Sequence, residues 1–317
     1  MRSSLVIFII PHIGGFVKPQ IALCKKIRPN RKERTMQSID WTAIKLYLLD
    51  MDGTLYLGNQ LFRATPDFLD AVRRSGGRAI YVTNNSSKSA TSYVAKLASL
   101  GIAASESDFL TSSQATAAYL QAHHRDALLY VLGTASLQSE LRRAGLRVTD
   151  RLTDGIGALV MGFDTELTFQ KLEDACRLLT NPDLPYIATN PDWVCPTEFG
   201  AVPDCGSVAE MLFRATGRRP RFIGKPQPEM IRLAMAQAGC TPAQTVVIGD
   251  RIYTDIASGL RAGVHTALVL SGETTPEILA NSSDRPEAVY ADVGEIAAEM
   301  RAASRQPLAA DGCCRPS

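Results

Sequence analysis

From residue 44 onward, short runs of aliphatic and β-branched residues alternate with longer segments whose apolar residues recur at helical spacing. Near-continuous apolar runs are typical of parallel strands that are buried on both faces, so the pattern predicts an α/β protein with a helix-covered parallel sheet. The predicted strands are residues 44–49, 78–83, 128–133, 158–163, 185–189, 221–224, 245–250 and 265–272. The predicted helices are residues 66–76, 89–101, 136–144, 168–179, 207–216, 228–238 and 254–262.

Polar side chains gather where several of these predicted strands end. The residues concerned are Asp50, Asp52, Thr83, Asn84, Asn85, Lys225 and Asp250. In open α/β sheets, functional groups collect in the crevice outside the carboxyl ends of the strands. Taken alone, the two neighbouring aspartates could form a solvated acidic turn, but the convergence of four strand ends favours a site.

The residue types at these strand ends fit one kind of chemistry. Three or four carboxylates repel one another unless a cation neutralises them, and Mg²⁺ prefers such hard oxygen ligands. A lysine and a threonine hydroxyl would stabilise a transferring phosphoryl group. An aspartate can act as a covalent nucleophile, and a second one nearby can exchange protons with the leaving alcohol and with water. We therefore predict metal-assisted phosphoryl transfer.

Four segments resemble the motifs of the haloacid dehalogenase (HAD) superfamily, in the right order. They are DMDGTLY at 50–56, VTNNSSKS at 82–89, GKPQPEM at 224–230 and GDRIYTDI at 249–256. The nearest subgroup is subfamily IIA, which comprises the NagD-like and p-nitrophenylphosphatase-like enzymes, and the resemblance covers residues 44–300. It implies a Rossmann-like core with an inserted cap domain of the C2 type.

The resemblance also implies a role for each site residue. The catalytic residues would be Asp50 as nucleophile, Asp52 as acid/base, Thr83 and Lys225. The substrate would contact Thr83, Asn84, Asn85, Lys225 and Cys195. For Asn85, capping of the helix predicted from residue 89 is an alternative. Mg²⁺ would be held by Asp50, by Asp52 through its backbone carbonyl, by Asp250 and by Asp255. Asp255 lies in the first turn of a predicted helix, so an interaction with the helix dipole is an alternative for that residue.

The spacing of the motifs locates the cap. Asp50 and Thr83 are 33 residues apart, whereas Thr83 and Lys225 are 142 residues apart, which is room for a whole inserted domain. We assign residues 126–218 to an α/β cap and residues 44–125 and 219–300 to the core. Residues 1–43 are predicted to be a poorly ordered extension, and residues 301–317 a flexible tail.

The loop at residues 188–200 is the predicted selectivity loop. Its Trp193 could stack on a ring of the substrate or pack within the cap, and packing is the favoured expectation. Two positions depart from the resembled family. Cys195 stands where the pyridoxal-phosphate phosphatases of animals carry a histidine, which argues against that substrate. Asp204 stands in place of a glycine of the usual Pro-Gly-x-Gly turn, with no consequence predicted.

The charge distribution narrows the class of partner. Residues 1–35 hold eight Lys or Arg and one acid, so this leader carries +7 and the remainder of the chain −5. The body of the protein is therefore not predicted to bind nucleic acid. The six apolar residues at 5–10 are too few to span a membrane, for which roughly 20 are needed. Seven scattered cysteines without a paired spacing fit reduced thiols in a cytoplasmic protein.

Together these observations predict a Mg²⁺-dependent phosphomonoesterase that acts on a small phosphorylated metabolite through an aspartyl-phosphate. The expected partner is a small-molecule phosphate ester, and a homodimer through the cap is a further expectation. One alternative is a catalytically silent HAD-fold protein with a binding or regulatory role. Another is a different HAD hydrolase activity such as dehalogenation, although Asp52 argues against a dehalogenase.

Overall fold

The computed structural model describes residues 39–197 and 199–305 of the 317-residue chain. The strands are β1 Leu46–Leu49, β2 Tyr56–Leu57, β3 Gln60–Leu61, β4 Arg78–Thr83, β5 Phe109–Thr111, β6 Leu128–Leu132, β7 Arg147–Thr149, β8 Ile156–Met161, β9 Tyr186–Ala188, β10 Val194–Thr197, β11 Gly200–Pro203, β12 Arg221–Phe222, β13 Thr245–Gly249, β14 His265–Val269 and β15 Ala288–Tyr290. The α-helices are α1 Thr65–Arg74, α2 Ala90–Ser99, α3 Ser112–His123, α4 Ala135–Arg143, α5 Phe169–Leu178, α6 Cys205–Thr216, α7 Glu229–Ala238, α8 Ala257–Ala262, α9 Pro276–Asn281 and α10 Val293–Ala303.

Six strands form the core sheet, in the order β15-β14-β13-β1-β4-β5, and every pairing in it is parallel. All four residues of β1 and all five of β13 are buried. This burial follows from helices on both faces of a parallel sheet, and it explains why these strands are apolar at successive positions. The predicted parallel α/β fold is confirmed.

Five further strands form the second sheet, in the order β12-β9-β8-β6-β7 and again with parallel pairings. One assignment is corrected here. Residues 221–224 were predicted as a strand of the core segment 219–300, but Arg221 pairs with Ile187 of β9 in the second sheet. A local apolar run indicates a strand without indicating its partner, so the second sheet extends beyond the predicted cap boundary at residue 218.

A two-stranded antiparallel hairpin, formed by β10 and β11, lies outside both sheets. The amide of Asp204 donates to the carbonyl of Trp193 at 2.9 Å, which closes the base of this hairpin. Asp204 then serves as the N-cap of α6, and the helix ends at Gly217, whose φ of 72° is left-handed. Asp at the N-cap and Gly just after the last turn are the usual start and stop of a helix.

The predicted chain ends are only partly within the described residues. Residues 1–38 and 306–317 lie outside them. The predicted extension 1–43 is too long, because Trp41 is 4% exposed, stacks on Tyr47 and donates from Nε1 to Glu299 at 3.0 Å. The predicted tail from residue 301 likewise overlaps α10. Within the described part of the chain, none of the helices combines the length and apolar character that crossing a bilayer requires.

Candidate active site

The turn after β1 aims two aspartates at the carboxyl end of the core sheet. The amide of Asp50 continues the pairing with β13 by donating to Ile248 at 2.9 Å. Gly53 has a φ of +88°, and its amide donates to the carbonyl of Tyr56 at 2.7 Å, which turns the chain sharply after Asp52. Asp50 is half-buried, whereas Asp52 is exposed and accepts from the amide of Gly58 at 3.3 Å.

Lys225 connects the second sheet to this acidic turn. Its side chain is 5% exposed, and its Nζ lies 2.6 Å from Asp50 Oδ1 and 2.6 Å from Asp255 Oδ1. The same ammonium donates to the carbonyl of Val82 at 3.1 Å. Burial lowers the pKa of Lys225, but Asp255 and Asp50 outweigh burial and raise it overall, so the lysine stays charged.

Asp50, Asp250 and Asp255 form an acidic cluster in which one oxygen of each lies within 4.8 Å of the others. Burial, Asp50 and Asp255 raise the pKa of Asp250 to about 7. Burial raises the pKa of Asp255 to about 6, although Lys225 counteracts it. Three carboxylates beside one lysine leave surplus negative charge, and this oxygen donor set fits Mg²⁺. The carboxylate of Asp52 is not part of the cluster.

Three glycines pack directly against carboxylates of the cluster. A Cβ at Gly53 or Gly272 would collide with the carboxylate of Asp250, and a Cβ at Gly249 would collide with that of Asp255. Asp250 also accepts from the amide of Glu273 at 2.7 Å. Neither Gly272 nor Glu273 was among the predicted site residues. Glu273 directly follows the predicted strand 265–272, so the strand-end rule could have found it, whereas Gly272 carried no such signal.

The loop after β4 contains the predicted Thr83, Asn84 and Asn85. The side-chain amide of Asn84 is engaged by the backbone of Lys225: Oδ1 accepts from its amide at 2.8 Å, and Nδ2 donates to its carbonyl at 2.8 Å. This arrangement favours a positioning role for Asn84. Thr83 is buried, and its Oγ1 accepts from the amide of Asn85 at 3.2 Å. Asn85 Nδ2 lies 4.0 Å from the sulfur of Cys195 on the hairpin.

A cavity of about 390 Å³ opens at this edge of the core sheet. Seven of the predicted residues line it, namely Asp50, Asp52, Thr83, Asn84, Asn85, Cys195 and Lys225. Asp250 and Asp255 are not in the lining, but Asp255 joins the site through its ion pair with Lys225. Trp193 is 60% exposed and is not in the lining either, so the expectation that it packs within the cap is wrong.

Two acids at the base of the hairpin also line the cavity and were not among the predicted site residues. Asp192 accepts from Asn84 Nδ2 at 3.3 Å and from Asn190 Nδ2 at 3.2 Å. Asp204 accepts from the amide of Cys205 and from Asn190 Nδ2 at 3.1 Å. Burial raises the pKa of Asp192, and burial together with Asp192 raises that of Asp204 to about 6.

Three further cations line the cavity, namely Lys88, Lys96 and Arg251. The guanidinium of Arg251 is 2.9 Å from Glu273, and Lys96 donates to the carbonyl of Gly58 at 2.7 Å. Arg251 immediately follows the predicted Asp250, so the strand-end rule was sufficient to find it. Lys96 carried no such signal, because it lies within α2. Lys88 lies just before α2, in the VTNNSSKS segment, and that motif was the signal that could have found it.

Two family models match the chain. A haloacid dehalogenase-like hydrolase model matches residues 47–147, and a HAD-hydrolase-like model matches residues 222–296. The acid sugar phosphatase of Staphylococcus haemolyticus (strain JCSC1435) is 34% identical over 256 residues, which are 81% of this chain and 96% of that protein.

Solved structures agree in fold over the same length. A 4-nitrophenylphosphatase from Thermotoga maritima superposes with a TM-score of 0.77 and 35% identity, covering 82% of this chain and 98% of that one. A glycerol phosphate phosphatase from Mycobacterium tuberculosis, crystallised in complex with magnesium, superposes with a TM-score of 0.75 and 32% identity. That match covers 81% of this chain and 77% of the other.

Proposed function

We propose that this chain, which belongs to the haloacid dehalogenase-like hydrolase family and is a phosphatase of its NagD-like group, is a Mg²⁺-dependent phosphomonoesterase of small phosphorylated metabolites. The observation that carries the proposal is the contact of Lys225 with both Asp50 and Asp255 at 2.6 Å. Lys225 and Asp50 line the cavity, and Asp250 completes the acidic cluster beside them. A nucleophile, a fixed cation and an acidic cluster are thereby brought together.

Asp50 is the proposed nucleophile. Its carboxylate is half-buried at the cavity floor, and Lys225 holds one of its oxygens while the other remains available for attack. Attack on phosphorus forms an aspartyl-phosphate and breaks the bond to the leaving alcohol. Water then attacks the phosphorus of this intermediate, which releases inorganic phosphate and regenerates the carboxylate.

Asp52 is the proposed acid/base. It is exposed to the cavity, and its observed hydrogen bond to the amide of Gly58 is long at 3.3 Å, so its carboxyl can exchange protons with a bound substrate. It gives a proton to the departing alkoxide in the first step and takes one from water in the second.

Lys225 and Thr83 are proposed to stabilise the transferring phosphoryl group, with Asn84 fixing the backbone of Lys225. Asn85 and Cys195 lie on the substrate side of the cavity. Asp50, Asp250, Asp255 and the backbone carbonyl of Asp52 would hold Mg²⁺, which would supply charge neutralisation for the phosphate oxygens.

The domain division is also proposed. Residues 126–218 would act as the cap, together with the strand Arg221–Phe222 that completes its sheet. The hairpin of this cap supplies Cys195 to the cavity, so closure would exclude bulky esters and water. We further propose a homodimer through the cap and a cytoplasmic location; light scattering of the purified protein tests the first, and cell fractionation the second.

Turnover of p-nitrophenyl phosphate tests the proposed activity. We expect hydrolysis that requires Mg²⁺ and that Asp50→Asn lowers by at least about a thousandfold, because the nucleophile is lost. Asp70→Asn is the matched control, since Asp70 is a surface acid of α1 paired with Arg74. Activity that survives in Asp50→Asn, or that is independent of Mg²⁺, would contradict the proposal.

A further inference from the structure

The hairpin side of the cavity is acidic. The residues that this region contributes to the lining are Asp192, Val194, Cys195, Pro196 and Asp204. Two of them are carboxylates, and no lysine or arginine occurs among them within the described ranges. A leaving group that extends from the phosphate toward the hairpin therefore meets negative charge.

Asp204 has one carboxylate oxygen, Oδ2, that accepts no hydrogen bond from the described residues. Asp192 has both oxygens engaged, one by Asn84 and the other by Asn190. Asp204 uses Oδ1 for both of its hydrogen bonds, to Cys205 and Asn190, while its Oδ2 has no partner among the described residues. The residue is only 4% exposed although it lines the cavity. Oδ2 is not one of the fully buried side-chain atoms that lack a partner, so it is open to the cavity, and a ligand that supplies a donor there gains a hydrogen bond to a charged group.

Most cations of the lining are engaged elsewhere. Lys225 is paired with Asp50 and Asp255, and Arg251 with Glu273. Lys96 is held by the carbonyl of Gly58 and by Asn59 Oδ1 at 2.5 Å. Lys88 has no partner within the described part of the chain. It is the lining residue that would compete with Asp204 for a charged substituent on the substrate.

We propose that Asp204 determines specificity: it makes the cavity select phosphate esters whose leaving alcohol carries hydroxyl donors and disfavour esters whose leaving alcohol carries a carboxylate. This inference rests on the proposed phosphatase activity and gives it a substrate class. Hydroxyl groups donate to the free oxygen of Asp204, whereas a carboxylate in the same place is repelled by it and loses its hydration. Asp204 acts on the leaving group and takes no part in the chemical step.

Two nearly isosteric esters test the proposal. Glycerol 3-phosphate and 3-phosphoglycerate differ in carrying a hydroxymethyl group or a carboxylate at the same carbon. We expect wild type to have the higher kcat/KM for glycerol 3-phosphate. Asp204→Asn should lower the ratio of the two kcat/KM values by about tenfold, because the repulsion between Asp204 and the carboxylate of 3-phosphoglycerate is removed. Asparagine caps helices as well as aspartate does, so α6 is expected to stay intact.

Asp183→Asn is the matched control, because Asp183 is an exposed acid of the same predicted cap segment and is absent from the cavity lining. It changes the charge equally and should leave the preference unchanged. In Asp183→Asn, turnover of p-nitrophenyl phosphate, which offers neither hydroxyl donors nor a carboxylate, should vary less than about twofold. If wild type fails with p-nitrophenyl phosphate, the proposed function fails and not the specificity assignment.

The pH dependence of the preference adds a second readout. Because the pKa of Asp204 is raised to about 6 by burial and by Asp192, its charge is present above that pH and is lost below it. The preference for glycerol 3-phosphate should therefore weaken as the pH falls through 6 in wild type. Asp192, whose pKa burial also raises, titrates in the same direction, whereas Arg251, which faces both acids, stays charged.

Several results would overturn the assignment. They are an unchanged preference in Asp204→Asn, equal wild-type rates for the two esters, or hydrolysis of p-nitrophenyl phosphate with turnover of neither ester. A wild-type preference for 3-phosphoglycerate would assign the leaving group to Lys88 instead. If Asp183→Asn lowers the ratio of the two kcat/KM values as strongly as Asp204→Asn does, the preference reflects only a long-range effect of net charge.

Discussion

Two buried lysine–aspartate pairs lie in different regions of this protein. Lys225 contacts two carboxylates and one backbone carbonyl at the edge of the core sheet. Lys171 contacts one carboxylate, that of Asp164 at 2.8 Å, and two backbone carbonyls beside the second sheet. Both ammonium groups are largely shielded from solvent, with side-chain exposures of 5% and 17%.

The difference between the two pairs is their surplus charge. Lys171 and Asp164 balance one to one, so the pair has no need of another ion. Around Lys225 the acids outnumber the base by two, since Asp250 is also within the cluster. A buried ion pair is therefore not evidence of catalysis in itself; the uncompensated carboxylates beside Lys225 are what fit a divalent cation and a reacting phosphate.

Replacing each lysine in turn is the strongest test of the difference between the two pairs. We expect Lys225→Met to lower kcat/KM by about a hundred- to thousandfold, because a fixed cation at the phosphoryl group is removed. Lys171→Met should keep kcat/KM within about twofold and should lower the free energy of unfolding by about 2 kcal/mol, since Asp164 loses its partner. Steady-state kinetics and urea unfolding measure both effects. Equal losses of activity in the two variants would contradict the assignment of a catalytic role to Lys225 and a structural role to Lys171.

The two aspartates after β1 should also divide in role. Asp52→Asn is expected to lower kcat by about a hundredfold or more while KM stays within about threefold, because proton transfer is lost but phosphate binding is kept. Asp52 lies outside the acidic cluster, so binding of Mg²⁺ should persist in this variant. Isothermal titration with Mg²⁺ and steady-state kinetics check the two halves of this prediction, and unchanged turnover would remove Asp52 from the mechanism.

Asn84 tests whether Lys225 must be held in place. Asn84→Ala removes both hydrogen bonds to the backbone of Lys225, and we expect kcat to fall about tenfold, as is typical when a group that orients a catalytic residue is lost. In Asn84→Asp the acceptor for the Lys225 amide remains but the donor to its carbonyl is replaced by a second oxygen, so kcat should fall as well. Retained kcat with a raised KM in both variants would point to direct substrate binding instead.

Mg²⁺ should stabilise the protein through the acidic cluster. At a hundredfold excess over its Kd the ion adds about 2.7 kcal/mol, which corresponds to a rise in Tm of roughly 4 °C for a chain of this size. Thermal unfolding with Mg²⁺ and with a chelator measures the shift. The shift should disappear in Asp250→Ala and persist in Asp164→Asn, and a shift that is equal in both variants would place the ion elsewhere.

The core half of the site could be predicted from sequence because the end of an apolar run marks the end of a strand. Asp50, Thr83 and Asp250 each follow an apolar run that is buried in the core sheet, so their convergence follows from the parallel topology. The same rule selected Lys225 even though its strand was assigned to the wrong sheet, and the structure places its ammonium 2.6 Å from Asp50. A local apolar pattern in the sequence shows where a strand ends. It does not show which other strands pair with that strand.

The hairpin half was not predictable in the same way. Asp192 and Asp204 are twelve residues apart and meet through Asn190, at a hairpin base that the bond from the Asp204 amide to Trp193 closes. No periodicity marks such a pairing. The strand Phe109–Thr111 was missed because three residues are too few to show a period. The helix after it was missed because it buries mostly small and polar residues, which give no apolar period.

The packing of Gly272 bears on how sequence variants of this protein are to be interpreted. Alanine is usually the mildest of substitutions, and a survey of harmful changes would look first at the charged residues. Here a single methyl group at Gly272 would occupy the place of the Asp250 carboxylate. An uncharged residue 22 positions away in sequence, with no polar side chain of its own, can therefore disable the acidic cluster as effectively as the loss of one of its acids.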